Sequence, residues 1–356
     1  MLLKNVTLKG EKCDISIKDG IIESFNQVCC GEADIDCSEY TVIPGLIDIH
    51  THGCVGDDTM DAEFEKLCDA WGKNGTTSVY PTTMTMDYDS IKRVNDAKTD
   101  WPGAQILGFH MEGPYINVEK KGAQNEKFVK PADLKEFASL PNMKLITIAP
   151  ECFDNMEFIK NCDAVICIGH TSCDYDTAVE AIKNGANCLT HTFNAMPPFA
   201  HRDPGPIGAA VTENIYVQVI TDGLHVHKAA VMALYKMFGT ERMVIISDSL
   251  KACGVSDGEY EFGGQMIDVV NGIARVKSGA IAGSTSYLWQ CVKSAVNMGI
   301  PFEDAVTMAT ETPARLMGLE NKGVIKEGAD ADLLVIDKDM NIKYVIIKGQ
   351  IYYEAE

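Results

Sequence analysis

Residues 44–53, Pro44-Gly45-Leu46-Ile47-Asp48-Ile49-His50-Thr51-His52-Gly53, make an apolar run that ends in two histidines one residue apart. Such a run reads as a buried strand. Successive side chains on a strand point to opposite faces, so His50 and His52 share a face. They stand where a strand usually meets a loop. Two imidazoles there either plug a polar mouth or hold a ligand.

Outward from this stretch, strand candidates recur at 45–52, 76–84, 106–114, 145–151, 164–172, 187–195, 216–225 and 243–249, eight in all. Amphipathic helical segments lie between them. In 174–185, Asp174 can cap the start, Ala178, Val179 and Ile182 form an apolar face, and Gly185 can end the helix. Eight strands with helical returns predict an α/β fold, a (β/α)8 TIM-like barrel, over 44–322. Residues 1–43 and 323–356 read as short strands with turns at "DG" and "KDMN", and are expected to join in one small β-sandwich domain. Residues 257–277 read as a hairpin inserted after the eighth strand.

The composition narrows the function. The chain has 356 residues, is 46% hydrophobic and carries a net charge of −20, so a globular protein with a large core is expected and nucleic acid is a poor partner. An anionic substrate would need a local positive trap. No apolar run approaches the ~20 residues of a membrane span. The start lacks a signal peptide's apolar region, so a cytoplasmic location and no membrane partner are expected. Thirteen cysteines without a C-x-x-C pair fit reduced thiols better than a disulfide framework or a structural zinc cage. Cys54 beside the His-Thr-His stretch reads as packing.

Active sites of such barrels form at the C-terminal strand ends. The first strand ends in His50 and His52, the third in His110 and Glu112, the fifth in His170 and the sixth in His191. The seventh runs into Asp222 and His225, and the eighth ends in Asp248. All eight histidines lie at strand ends or in the loops after them. Imidazole and carboxylate together suit Zn2+, Fe2+ or a similar divalent cation, one or two per chain. Glu112, His170 and His191 leave a coordination position open. His50 and His52 add ligands for a second metal, with Glu112 able to bridge. His110 reads as a supporting or packing residue, and His201 and His227 as ordinary loop histidines. Asp248 could cap a helix, but beside a metal it is better explained as a general base.

The stretches "VIPGLIDIHTHG", "GFHMEGPYI", "IGHTS", "THTFNAMPPFAHRDPGPIGA", "TDGLHVH", "ISDS" and "TETPARLMGLENKGVIKEGADADLLVID" span essentially the whole chain. They resemble the amidohydrolase superfamily and, within it, the N-acetylglucosamine-6-phosphate deacetylase family. The resemblance implies that Glu112, His170 and His191 ligate metal and that Asp248 is the catalytic acid/base. It implies substrate contacts from Ala123, Gln124, Asn194, Ala195, Ala282 and Gly283, with Arg202 and His225 holding the sugar phosphate. Arg202 would be the positive trap that the acidic composition calls for. Many members of the family have histidine where this chain has Gln124. Some lack the His-x-His pair and hold one metal, whereas this chain keeps His50 and His52.

The reaction so implied is hydrolysis of N-acetyl-D-glucosamine 6-phosphate to D-glucosamine 6-phosphate and acetate, in amino-sugar metabolism, by a homodimer. A phosphate contact could cross the dimer interface. The rivals are the galacto epimer as substrate, a cyclic-amide hydrolase or a deaminase on the same barrel, and a non-catalytic barrel scaffold. Many binuclear cyclic-amide hydrolases carry a carboxylated lysine at the end of the fourth strand, which here ends in "TIAPE". A scaffold would lack ligands or Asp248.

Overall fold

The structure, a computed structural model, describes residues 1–8, 11–26 and 32–355. The chain opens with strands β1 (Leu2–Leu8), β2 (Glu11–Lys18), β3 (Ile21–Asn26), β4 (Ile35–Asp36) and β5 (Thr41–Pro44). Asp19 and Gly20 turn β2 into β3 with φ of 51° and 83°. Positive φ at both central residues matches the right-handed twist of the flanking strands, which is why "DG" marks this hairpin.

The barrel follows. Its strands are β6 (Leu46–Thr51), β7 (Thr76–Thr83), β8 (Phe109–Glu112), β9 (Met143–Ile148), β10 (Val165–Ile168), β11 (Cys188–Leu189), β12 (Tyr216–Ile220) and β13 (Met243–Ile246). They are the eight expected from the sequence, and each pairs in parallel with the next. The ring closes at its rim, where Asp248 N donates to His50 O at 2.8 Å and His52 N to Ser249 O at 2.7 Å. Side-chain alternation separates two cores. Val217, Val219, Met243 and Ile245 pack in the outer core shared with the helices, while Ile220, Val244 and Ile246 belong to an inner one. The helix Tyr175–Lys183 is capped by Asp174, whose carboxylate accepts from Thr177 N at 2.8 Å, and Gly185 follows it with φ 127°.

After β13 the chain makes β14 (Gly258–Phe262), β15 (Gln265–Val270) and β16 (Ile273–Val276). The hairpin expected over 257–277 is thus a three-stranded antiparallel meander. Two tight turns explain the extra strand. Gly263-Gly264 has φ of 57° and 77°, and Asn271-Gly272 has φ of 52° and 71°. Asp257 accepts from the backbone N–H groups of both Asn271 and Gly272, which fixes the second turn.

The chain ends in β17 (Leu333–Ile336), β18 (Ile342–Ile347) and β19 (Gln350–Glu354). One sheet has the order β3-β2-β1-β4 and the other β19-β18-β17-β5. Leu3, Val6, Ile15, Ile17 and Ile22 of the first sheet share a core with Val42, Leu333, Val335 and Ile346 of the second. The two termini therefore build one small sandwich beside the barrel.

Candidate metal centre and active site

Local backbone geometry aims the strand-end side chains. His170, His191 and Asp248 each follow a barrel strand with positive φ, at 47°, 27° and 47°. Residues with a Cβ rarely adopt this region, at a cost of order 1–3 kcal/mol each. The neighbouring chain holds Asp248 there. Its N–H donates to His50 O, and its carbonyl accepts from Ser284 N at 2.7 Å. Gly283 is what permits that approach, because a Cβ at Gly283 would lie 2.5 Å from the Asp248 carbonyl oxygen.

Six side chains converge. Glu112 Oε1 lies 3.2 Å from His170 Nε2, 3.0 Å from His191 Nε2 and 3.3 Å from His50 Nε2. Glu112 Oε2 lies 3.3 Å from His52 Nε2. Asp248 Oδ1 stands 3.6 Å from His50 Nε2 and 3.3 Å from His52 Nε2. All six residues are buried.

The ring tautomers follow from the outer partners. His52 Nδ1 donates to Thr82 O at 3.1 Å and His170 Nδ1 to Lys120 O at 2.8 Å, since carbonyls only accept. His50 Nδ1 lies 3.1 Å from Gln218 Oε1, which also accepts from His191 N at 3.4 Å. In its neutral form each of these rings therefore turns an Nε2 lone pair inward. His170 Nε2 and His191 Nε2 are only 3.1 Å apart, and His50 Nε2 is buried without a hydrogen-bond partner. Lone pairs facing lone pairs in a buried site need a cation or a proton among them. Two ligand groups result, Glu112 with His170 and His191, and Glu112 with His50 and His52. Nitrogen and carboxylate donors in these sets fit a divalent metal.

The electrostatics agree. Burial opposes charge on every group, yet the histidines hold the Glu112 carboxyl well below the usual range and the Asp248 carboxyl below it. Burial would lower His52 too, but Asp248 and Glu112 push it up to about 10. Burial lowers His191. His110 is lowered well below its ordinary value by burial, and its nitrogens meet the hydroxyls of Thr82 and Thr147 at 3.3 and 2.8 Å. It stacks edge-on to His50, with ring centroids 4.5 Å apart.

A pocket of about 400 Å³ opens over this centre. Ala123, Gln124, Asn194, Ala195, His225, Ala282 and Gly283 all line it. Arg202 does not; it is exposed on its loop and donates to His201 Nε2 at 2.8 Å. His225 is held between Asp222 Oδ2 at 2.7 Å and Ala282 O at 2.8 Å, so both ring nitrogens are engaged. Burial lowers its pKa, and the Asp222 carboxylate more than offsets that, leaving it raised. His227 accepts from Ala229 N at 3.2 Å at a helix start. Cys54 is buried in the outer core. Glu151, just beyond the fourth barrel strand, ties loops together by accepting from Asn117 Nδ2, Thr171 Oγ1 and Ser172 N at 2.8, 2.5 and 2.5 Å.

Sequence reasoning missed three contributors. Lys120 is the one lysine or arginine lining the pocket among the described residues, and it makes no ion pair there, whereas Lys121 is paired with Glu126 at 2.6 Å. A cation next to a predicted strand-end site in so acidic a chain was the available signal. Phe262 of the meander packs on His52 with ring centroids 5.4 Å apart, and Gln218 orients His50. Nothing local in the sequence marks either.

Strand-end imidazoles and carboxylates around a barrel-mouth pocket define a metal-dependent hydrolase. Residues 41–352 match the amidohydrolase family, and the chain belongs to it, acting on amide carbon–nitrogen bonds. Among its relatives is an N-acetylglucosamine-6-phosphate deacetylase of Bacillus subtilis, 32% identical over 89% of this chain and 85% of the relative. An N-acetylgalactosamine-6-phosphate deacetylase of Escherichia coli O157:H7 is 30% identical over 95% and 94%. The N-acetyl-D-glucosamine-6-phosphate deacetylase of Mycobacterium smegmatis, solved as a variant in complex with N-acetyl-D-glucosamine-6-phosphate, is 30% identical with a TM-score of 0.90 over 99% of both chains. No helix among the described residues is long and apolar enough to cross a membrane.

Proposed function

We propose that the chain hydrolyses N-acetyl-D-glucosamine 6-phosphate to D-glucosamine 6-phosphate and acetate. The observation that carries this is the convergence of Glu112, His170, His191 and Asp248 at the base of one pocket lined by Asn194, Ala195, Ala282 and Gly283. The named relatives support the sugar phosphate as substrate class.

Glu112, His170 and His191 would hold one divalent metal, Zn2+ or Fe2+, and His50 and His52 with Glu112 a second. When bound, the metal polarises the acetyl carbonyl and makes water more acidic. Asp248 accepts a proton from the attacking water as its oxygen bonds to the acetyl carbon. Asp248 then returns that proton to the sugar nitrogen as the C–N bond breaks, giving acetate and a free amine. Gln124, Asn194 and Ala195 bound the acetamide end of the pocket. Lys120 supplies positive charge within it for the phosphate, with His225 beside it. Remote binding of the phosphate orients the amide.

Arg202 enters this reading through a homodimer. It lies outside the lining of its own pocket, and exposed Val118, Phe153, Phe199 and Leu224 sit on loops at the same end of the barrel. A second copy covering that face would bury them and bring Arg202 to the partner's pocket. A solution mass of one chain removes this arrangement. We also propose a cytoplasmic location and a division into a barrel of 44–322 and a sandwich of 1–43 with 323–356.

The test is acetate release from the phosphorylated gluco and galacto epimers and from unphosphorylated N-acetylglucosamine, with metal content measured in parallel. The phosphorylated gluco sugar should give the highest kcat/KM. A higher value for the galacto epimer would reassign the substrate. Release from none of the three by metal-loaded protein would overturn the reading.

A further inference from the structure

Gln124 lines the pocket, yet its amide is committed elsewhere. Its Oε1 accepts from Thr85 N at 2.7 Å, which fixes which end of the amide is which. Its Nε2 donates to Glu112 Oε2 at 2.6 Å and faces Met84 Sδ at 3.8 Å. The side chain is buried, so these partners are not exchanged for water. A group whose two N–H bonds and whose oxygen are taken inside the protein is poorly placed to read a substrate.

The two oxygens of Glu112 are treated unequally. Oε1 is surrounded by His50, His170 and His191. Among the described residues, Oε2 meets only His52 and Gln124. The terminal torsion of a glutamate is broad and has no sharp well of its own. A metal between His170 and His191 would hold one oxygen by itself. The other would keep its side only through an outside partner. We propose that Gln124 is the positioning residue that divides Glu112 between two metal positions, reserving Oε2 for the one formed with His50 and His52. This rests on the metal-dependent reading of the site. Carboxylate ligands owe much of their affinity to such outer partners, whose loss typically lowers metal affinity about 10–100-fold.

The test titrates metal-free full-length protein with Zn2+ against a competing chelator. Wild type should bind two Zn2+ in two steps, and His50→Ala with His52→Ala should remove one step and so identify it. Gln124→Met keeps shape and bulk but loses the amide. It should weaken that same step about 10–100-fold and leave the other step within about threefold, while the unpaired Thr85 N–H lowers the thermal midpoint of the metal-free protein without bearing on which step is weakened. Gln124→His, which retains a ring N–H donor, should recover part of the loss. Two unchanged steps in Gln124→Met would overturn the proposal, as would an equal fall in both. Wild type that takes up one Zn2+ would overturn it too while leaving a one-metal hydrolase standing. Wild type that binds none would overturn the metal-dependent reading itself.

Discussion

At the scale of single residues, the site depends on side chains held in backbone conformations that they do not prefer. Asp248 occupies the left-handed region with φ 47°, where asparagine is at least as comfortable. Asp248→Asn should therefore keep its backbone and the bound metal while losing the proton acceptor. We expect kcat to fall by about 10²–10⁴, measured on protein whose metal content is assayed first. Near-normal turnover would remove Asp248 from the proton transfer. The phosphate is also a residue-scale matter. A charge-assisted contact to it is worth on the order of 1.5–3 kcal/mol. Lys120→Ala should accordingly lower kcat/KM on the phosphorylated sugar by at least about tenfold and spare the unphosphorylated one. If both substrates lose the same factor, Lys120 acts on the loop that orients His170 and does not read the phosphate.

At the scale of elements, two loops are fastened across the mouth by His225. It joins the segment after β12, through Asp222, to the carbonyl of Ala282 in the segment after the meander. Asp222 is lowered, its burial outweighed by the hydrogen bond from His225, and His225 is raised. A raised histidine stabilises fully below its unfolded value of about 6.5 and loses that effect as pH climbs through the folded value. A lowered aspartate stabilises above its unfolded value of about 3.9 and loses that effect as pH falls through the folded value. The fastening is thus at full strength between about pH 4 and 6.5 and weakens on both sides. The difference in thermal midpoint between wild type and His225→Gln should be largest in that window, and a flat difference from pH 4 to 9 would refute the linkage. The segment after the meander has a second duty. Gly283→Ala would press a Cβ onto the Asp248 carbonyl, so turnover should collapse while the protein stays folded and metal-loaded.

At the scale of the whole molecule, the buried centre ties folding to metal. Four imidazoles and two carboxylates at 3.0–3.6 Å are compatible with one another only with cations or protons among them. A ligand bound only by the native state stabilises it by about 2.7 kcal/mol at a hundredfold excess over its Kd. Chelation should lower the thermal midpoint and metal return should restore it, read by calorimetry with activity alongside. An unchanged midpoint in protein shown to have lost its metal would mean that the centre is not coupled to the fold.

The barrel was legible in the order of residues, because strand and helix periodicities are local and eight of the former alternate with returns. That order placed His50 and His52 on one face, because a strand alternates by geometry alone, and it gathered Glu112, His170, His191 and Asp248 at strand ends, because a barrel has one C-terminal mouth. The third strand of the meander was open to the same reading in Asn271-Gly272, a two-residue turn signal. Tertiary structure alone decided the rest. Whether Gln124 faces a substrate or Glu112 depends on Thr85, a residue 39 positions away, and on burial that stops water from replacing either bond. Whether Arg202 or Lys120 stands in the pocket depends on where two long loops come to rest, which no local periodicity encodes. Which nitrogen His50, His52 and His170 turn inward was settled by carbonyl and amide oxygens distant in sequence, because a ring N–H goes to an acceptor that cannot donate.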